Sequence, residues 1–207
     1  MRNAWSRRGH SIDGKPLVLL QVNCRSILNK ILEFWNLVDT YNPDVVIGTE
    51  SWLSDEINNA EVFRDDYITF RRDRSTRSGG VFICVKNYID CRELWTDDDF
   101  EMIAVVVKGR DPKFTWEIVG IYRAPKEDLP AIERLAARTD YIGNSTKRSI
   151  IGSDLNLPYA DWNGNAVGNS GFVKGGTNNW VRQDAKESGH ICTSKEQFEL
   201  GNMASRR

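Results

Sequence analysis

Four short apolar runs in this chain each close on a polar residue, and that repetition constrains the fold most. They are Leu17-Val-Leu-Leu-Gln-Val-Asn23, Asp44-Val-Val-Ile-Gly-Thr-Glu50, Trp116-Glu-Ile-Val-Gly-Ile-Tyr122 and Ser149-Ile-Ile-Gly-Ser-Asp154. Short runs rich in Val and Ile, ended by a polar residue, read as buried strands. Residues two apart on a strand share a face, so Asp154 and Asn156 emerge side by side before Pro158 stops the pairing. An acid that holds a metal or takes a proton, next to a neutral amide donor, suits hydrolysis of a phosphate ester. Asp-x-Asn after a strand is also common turn chemistry, because both residues tolerate tight turns. Taken together, Asn23, Glu50, Tyr122, Asp154 and Asn156 point to one oxygen-rich site suited to Mg²⁺.

Strands and helices are interleaved along the chain. Residues 1–15 read as a loose arm, and a strand is expected over 16–23. The segment 26–42 reads as a helix capped by Ser26, with Ile27, Ile31, Phe34, Trp35 and Val38 on one face. Further strands are expected near 44–49, 67–72, 79–86, 89–95, 101–107, 115–122 and 147–153. A second helix is expected over 129–141. After Trp162 the character changes. Residues 163–180 are rich in Asn and Gly, a composition that buries little and is costly to order. Thr193-Ser-Lys-Glu196 has a capping-box pattern, so a short helix over 194–200 is expected. The domain organisation read here is an arm at 1–15, a folded domain at 16–162 and a divergent, weakly structured segment at 163–207.

Composition narrows the class. A chain of 207 residues can bury a sizeable single core. Its net charge of -1 argues against a protein held on nucleic acid by bulk charge alone. Basic residues do gather locally: Arg71, Arg72, Arg74 and Arg77 precede Gly79-Gly80. They fit either a solvated hairpin loop or a contact to phosphates beside a cleft. Trp52 follows Glu50 closely and is placed to flank the site. Cysteines 24, 84, 91 and 192 lack metal-site spacing, and Cys24 and Cys84 lie in apolar runs as buried thiols, which fits a reducing, intracellular setting. No signal peptide is visible, and no apolar run nears the roughly 20 residues of a spanning helix, so no membrane role is expected.

In their order, these pieces resemble the endonuclease/exonuclease/phosphatase superfamily, which includes apurinic endonucleases and deoxyribonuclease I. They look most like the apurinic-type endonuclease domain of non-LTR retrotransposon polyproteins. The matching stretches are Gln21-Val-Asn23-Cys-Arg-Ser26, Asp44 to Leu53, Arg71 to Gly80, Gly120-Ile-Tyr-Arg-Ala-Pro125 and Gly152-Ser-Asp-Leu-Asn-Leu-Pro158, covering roughly residues 16–162. The family's motif usually begins Gly-Asp; here Ser153 intervenes.

The resemblance implies a four-layer α/β sandwich of two mixed sheets flanked by helices, with an incomplete second half whose sheet would be exposed. It implies Glu50 as the main Mg²⁺ ligand with Asn23 beside it. Asp154 would activate water, Asn156 and Tyr122 would bind the phosphate, and Arg71, Arg74, Arg77 and Arg123 would contact substrate. DNA is the implied substrate, nicked for target-primed reverse transcription beside a reverse transcriptase domain absent from this chain. Nuclear action on DNA follows. The family's final Ser-Asp-His motif has no counterpart here, because Ser188-Gly-His190 lacks the Asp and follows Asp154 too closely. A truncated copy of weak or no activity is therefore expected. Two other functions compete: a phosphatase or other phosphodiesterase of the same superfamily, and a non-catalytic binding module that kept the fold.

Overall fold

A computed structural model describes residues 11–12, 15–74, 78–97, 100–109, 115–124, 137–138, 148–156, 190–191 and 198–199. Ser11–Ile12 (β1) and Lys15–Pro16 (β2) pair antiparallel as a small hairpin inside the segment read as a loose arm. The main strands are Leu19–Asn23 (β3), Val45–Thr49 (β4), Tyr67–Arg72 (β5), Val81–Lys86 (β6), Asp90–Asp97 (β7), Glu101–Lys108 (β8), Thr115–Tyr122 (β9) and Arg148–Asp154 (β10). Two short strands follow, His190–Ile191 (β11) and Phe198–Glu199 (β12).

These strands form two sheets, ordered β12-β3-β4-β6-β5 and β11-β10-β9-β8-β7. Each sheet has two parallel pairings followed by two antiparallel ones, so the two share one pattern of directions. The sheets face each other. Val45, Ile47, Val81, Ile83 and Val85 of the first pack on Ile103, Val105, Val107, Trp116, Ile118 and Ile150 of the second. Alternate residues Val46, Phe82 and Cys84 face outward and are covered by Phe34, Trp35 and Val38 of the helix Ile31–Tyr41 (α1). This period-two alternation is what a sheet buried on both faces requires.

Two glycines set the spacing between the sheets. Gly120 and Gly152 are register partners on β9 and β10, and both face the first sheet. A Cβ on Gly152 would lie 2.5 Å from Ile47 Cδ1, and one on Gly120 would lie 2.8 Å from a Val81 methyl. Their bare backbone admits the β4 and β6 side chains.

The structure differs from the sequence expectations in three places. Ser26 does not cap α1. It caps a short 3-10 turn, Ile27–Asn29, from a left-handed backbone with φ 76° and makes no side-chain cap bond. Its N–H is bound to the Glu50 carbonyl at 3.0 Å, and that tertiary bond overrides the local capping pattern. The outer face of the second sheet is not exposed: Met102, Ala104, Val119, Ile121 and Ile151 are all buried. The helix expected over 194–200 is absent at Phe198–Glu199, which pair in parallel with β3 instead. Of the helix expected over 129–141, only Ala137 and Arg138 lie within the described residues, and they are helical. An unforeseen short helix, Asn59–Val62 (α2), is started by a capping box between Asn58 and Glu61.

Candidate active site

The ends of the parallel strands of both sheets meet at one edge of the sandwich. Gln21 and Asn23 share the inward face of β3, as Gly152 and Asp154 share that of β10. Gln21 Nε2 donates to the Ser153 carbonyl at 2.6 Å, joining the two sheets just below the mouth. One step further out, Asn23 Nδ2 donates to Asp154 Oδ2 at 2.7 Å and to Glu50 Oε1 at 3.0 Å. One amide nitrogen thus holds a carboxylate from each sheet, and the two carboxylates lie within two hydrogen-bond lengths of each other. Asn23 Oδ1 accepts from the Arg25 N–H at 3.1 Å, which fixes which way round the amide sits.

The exit loops are tied together in turn. Cys24, Ser26 and Ile27 donate their N–H groups to the carbonyls of Thr49, Glu50 and Ser51. Left-handed backbone gathers here: Arg25, Ser26, Glu50, Trp52 and Asn156 all have positive φ. Such conformations cost on the order of 1–3 kcal/mol each and persist where surrounding bonds over-determine them. Trp52, two residues beyond Glu50, is 40 % exposed.

Tyr122 lies on the same inward face and is buried. Burial first, and then the Glu50 and Asp154 carboxylates, push its phenol well above the usual tyrosine range. It therefore stays a proton donor throughout the physiological range. Asn156 Nδ2 donates to the Arg123 carbonyl at 2.8 Å, so its amide turns toward the end of β9.

The arginines divide. Arg123 is buried, and its Nη1 donates to the carbonyls of Leu155 and Asn156 at 2.9 and 3.0 Å. Arg71 pairs with Asp73 and donates to the carbonyls of Ser54 and Ile57 and to Asn59 Oδ1. Both side chains hold loops beside the mouth. Arg74 is partly exposed and pairs at 3.2 Å with Glu101, the register partner of Tyr122. Arg77 lies outside the described residues. His190 pairs in register with Ile150, four residues before Asp154 on β10, so its backbone sits about 13 Å short of the strand exits.

No group of three or more His, Cys, Asp or Glu able to hold a metal occurs among the described residues. Mg²⁺ does not need one: it keeps several waters and binds through one or two carboxylates. Two carboxylates converging on a single amide offer their oxygens to such an ion. No helix among the described residues is long and apolar enough to cross a membrane.

No protein-family model matches the chain, and no curated protein does. Its likeness is to solved structures. The endonuclease domain of TRAS1, a telomere-specific non-LTR retrotransposon, superposes with a TM-score of 0.52 at 18 % identity, covering 70 % of this chain and 64 % of that one. The human Nocturnin catalytic domain gives 0.52 at 10 % identity, with coverage of 70 % and 64 %. The 3′ phosphatase NExo from Neisseria, bound to product DNA hairpin, gives 0.50 at 16 % identity, with 69 % and 59 %. This chain spans less than two thirds of each of those chains. The fold is the deoxyribonuclease I-like sandwich that these structures share. Within that fold the chain is similar to the retrotransposon endonuclease domain.

Proposed function

We propose that this chain is a Mg²⁺-dependent phosphodiester hydrolase, a DNA-nicking endonuclease domain of the retrotransposon type. The observation that carries this reading is the Asn23 amide, which draws Glu50 and Asp154 from opposite sheets into one oxygen-rich mouth. Solved structures of the same fold add support: they include a retrotransposon endonuclease domain and an enzyme bound to a DNA hairpin.

Glu50 is the main metal ligand, with Asn23 orienting it. The metal, when bound, supplies charge to polarise the scissile phosphate and steady the leaving oxygen. Asp154 takes the proton of the attacking water, and its carboxylate is aimed by the Asn23 N–H. Tyr122 keeps its proton and hydrogen-bonds a phosphate oxygen as charge develops there. An amide has two N–H donors; one on Asn156 holds the Arg123 carbonyl, and the other serves the phosphate. Arg74 and Arg77 contact flanking phosphates. Arg71 and Arg123 act by holding the loops that carry these groups.

No His stands in a Ser-Asp-His context in this chain. Removing one preorganised donor at comparable sites costs about 10²–10³ in rate. Nicking is therefore slow. The parent polyprotein of such a domain supplies a reverse transcriptase, and action on DNA places it in the nucleus. The test offers supercoiled plasmid and a small phosphomonoester in parallel, each with Mg²⁺. Nicking of plasmid is expected. Turnover of the small ester alone would make the chain a phosphatase, and salt-dependent DNA binding with neither reaction would make it a binding module.

A further inference from the structure

Glu101 opens β8 in the second sheet, in a run of acids that looks like solvated surface, Asp97-Asp-Asp-Phe-Glu101. It is not solvated. Its side chain is 13 % exposed. It is the register partner of Tyr122 and points inward, in phase with Ile103, Val105 and Val107. One carboxylate oxygen accepts the Gly80 N–H, and the other pairs with Arg74.

The Gly79–Gly80 turn belongs to the other sheet and leads into β6. Both glycines have φ 87°, a conformation side chains rarely adopt. A Cβ on Gly79 would collide with the Glu101 carboxylate, and one on Gly80 with Ser51 Oγ. The turn's carbonyls accept from the loop that follows Glu50: Gly79 from the Trp52 N–H at 2.9 Å, and Gly80 from the Ser51 N–H at 3.4 Å. Contacts therefore run continuously from Glu101 through the turn to Ser51 and Trp52, the residues just beyond Glu50. Glu50 and Trp52 both hold left-handed backbone that nothing in their own sequence favours.

We propose that Glu101 is a positioning residue of this site, splinting the loop that presents Glu50 and aiming Arg74 at the Tyr122 end of the mouth. It rests on the hydrolase reading for what Glu50 and Arg74 do there. The splint itself is a property of the fold. A partly buried carboxylate on a backbone N–H makes a charge-assisted bond, stronger than a neutral one. Partners that orient a ligand without touching the metal typically change its affinity about 10–100-fold when removed.

The test uses the full chain with Glu101→Ala and Glu101→Gln. Amide exchange at Ser51 and Trp52 reads the splint, calorimetric titration with Mg²⁺ reads Glu50, and steady-state nicking reads Arg74. In Glu101→Ala, exchange at Ser51 and Trp52 should quicken about tenfold or more, the effect of losing one hydrogen bond to a charged group. Protection at Ile103 and Ile118 should stay as in the wild type, and the Mg²⁺ Kd should rise about 10–100-fold. Glu101→Gln keeps an acceptor for Gly80, so exchange should return near the wild-type rate. Its KM for duplex should rise with little change in kcat, because Arg74 has lost its charged guide.

Wild-type exchange at Ser51 and Trp52 in Glu101→Ala overturns the proposal, as does faster exchange spread evenly over both sheets. Should Glu101→Ala not fold, an unchanged KM in Glu101→Gln overturns it. A wild-type chain that binds no Mg²⁺ sinks the hydrolase reading instead, and the exchange data still decide the splint.

Discussion

Asn23 Nδ2 lies 2.7 Å from Asp154 Oδ2, although 131 residues separate the two in the chain. That bond crosses from one sheet to the other and sets the direction of the carboxylate. Asn23→Ala should therefore cost more in rate than in stability. A fall of about 10–100-fold in nicking is expected, the usual effect of removing a group that orients another. Asn23→Asp should be worse, because it sets a third negative charge against Glu50 and Asp154. Like charges raise a carboxyl's folded pKa above its unfolded value. The stability that group contributes is then present at low pH and lost as pH rises. Urea unfolding should show Asn23→Asp well below the wild type at neutral pH, with the gap narrowing in mild acid.

Packing at the glycines gives a ranked prediction. A Cβ at Gly48 would drive into the Phe82 ring, which is fully buried between Phe34 and Phe63. At Gly152 the same atom meets Ile47 Cδ1 at 2.5 Å, a single terminal methyl rather than a whole ring, with Ile47 Cγ2 at 3.2 Å. Overpacking typically costs about 1–3 kcal/mol. Gly48→Ala should lie at or above the top of that range and Gly152→Ala near the bottom, by urea unfolding. Equal costs would mean that Phe82 gives way as easily as Ile47.

The strands were legible because their signal is local. Val and Ile alternate or run together, and Gly, Pro and Asn mark the ends, so 67–72 and 115–122 fall where expected. The inward phase of Asn23, Tyr122 and Asp154 follows from the same period of two. Ser26 was misread because its backbone answers to Glu50, which local capping rules do not see. Arg71 and Arg123 look like any basic residue beside a cleft until their carbonyl partners are known. Glu101 was missed for the opposite reason. Among neighbouring acids nothing distinguishes it, and its partners Gly80 and Arg74 come from the other sheet.

Arg71 and Arg74, three residues apart, should behave in opposite ways. Arg71→Ala strands the Asp73 carboxylate, 6 % exposed, without its cation. Breaking a buried pair costs about 3–5 kcal/mol, so a large loss of stability is expected with no change in the salt dependence of DNA binding. Arg74→Ala should cost less stability than Arg71→Ala, because Glu101 keeps the Gly80 N–H and Arg74 itself is 37 % exposed. It should reduce the slope of log affinity against log salt by about 0.9, the share of one phosphate contact.

Alkaline pH should unfold the protein early. Burial pushes the thiol of Cys91 up to about 11 and that of Cys84 up to about 12, against an ordinary 9.0. It also raises the phenols of Tyr67 and Tyr122, both buried, well above the usual tyrosine range. These groups lose protons more readily in the unfolded chain than in the folded one. The stability they confer is complete below the unfolded values and is lost as pH climbs through the folded ones. Thermal midpoints should be insensitive to these groups below pH 9.0 and fall steadily above it. A midpoint flat well into the alkaline range would show that these side chains are more open to water than their positions imply.

The central claim is that Glu50 and Asp154 form one hydrolytic site. The most direct measurement is single-turnover nicking of supercoiled plasmid, with protein in excess, comparing the wild type with Glu50→Ala and Asp154→Ala, with and without Mg²⁺. The wild type should nick slowly and only with Mg²⁺, and either substitution should abolish the reaction while the chain stays folded. Nicking that survives both substitutions, or proceeds unchanged in chelator, would contradict the account.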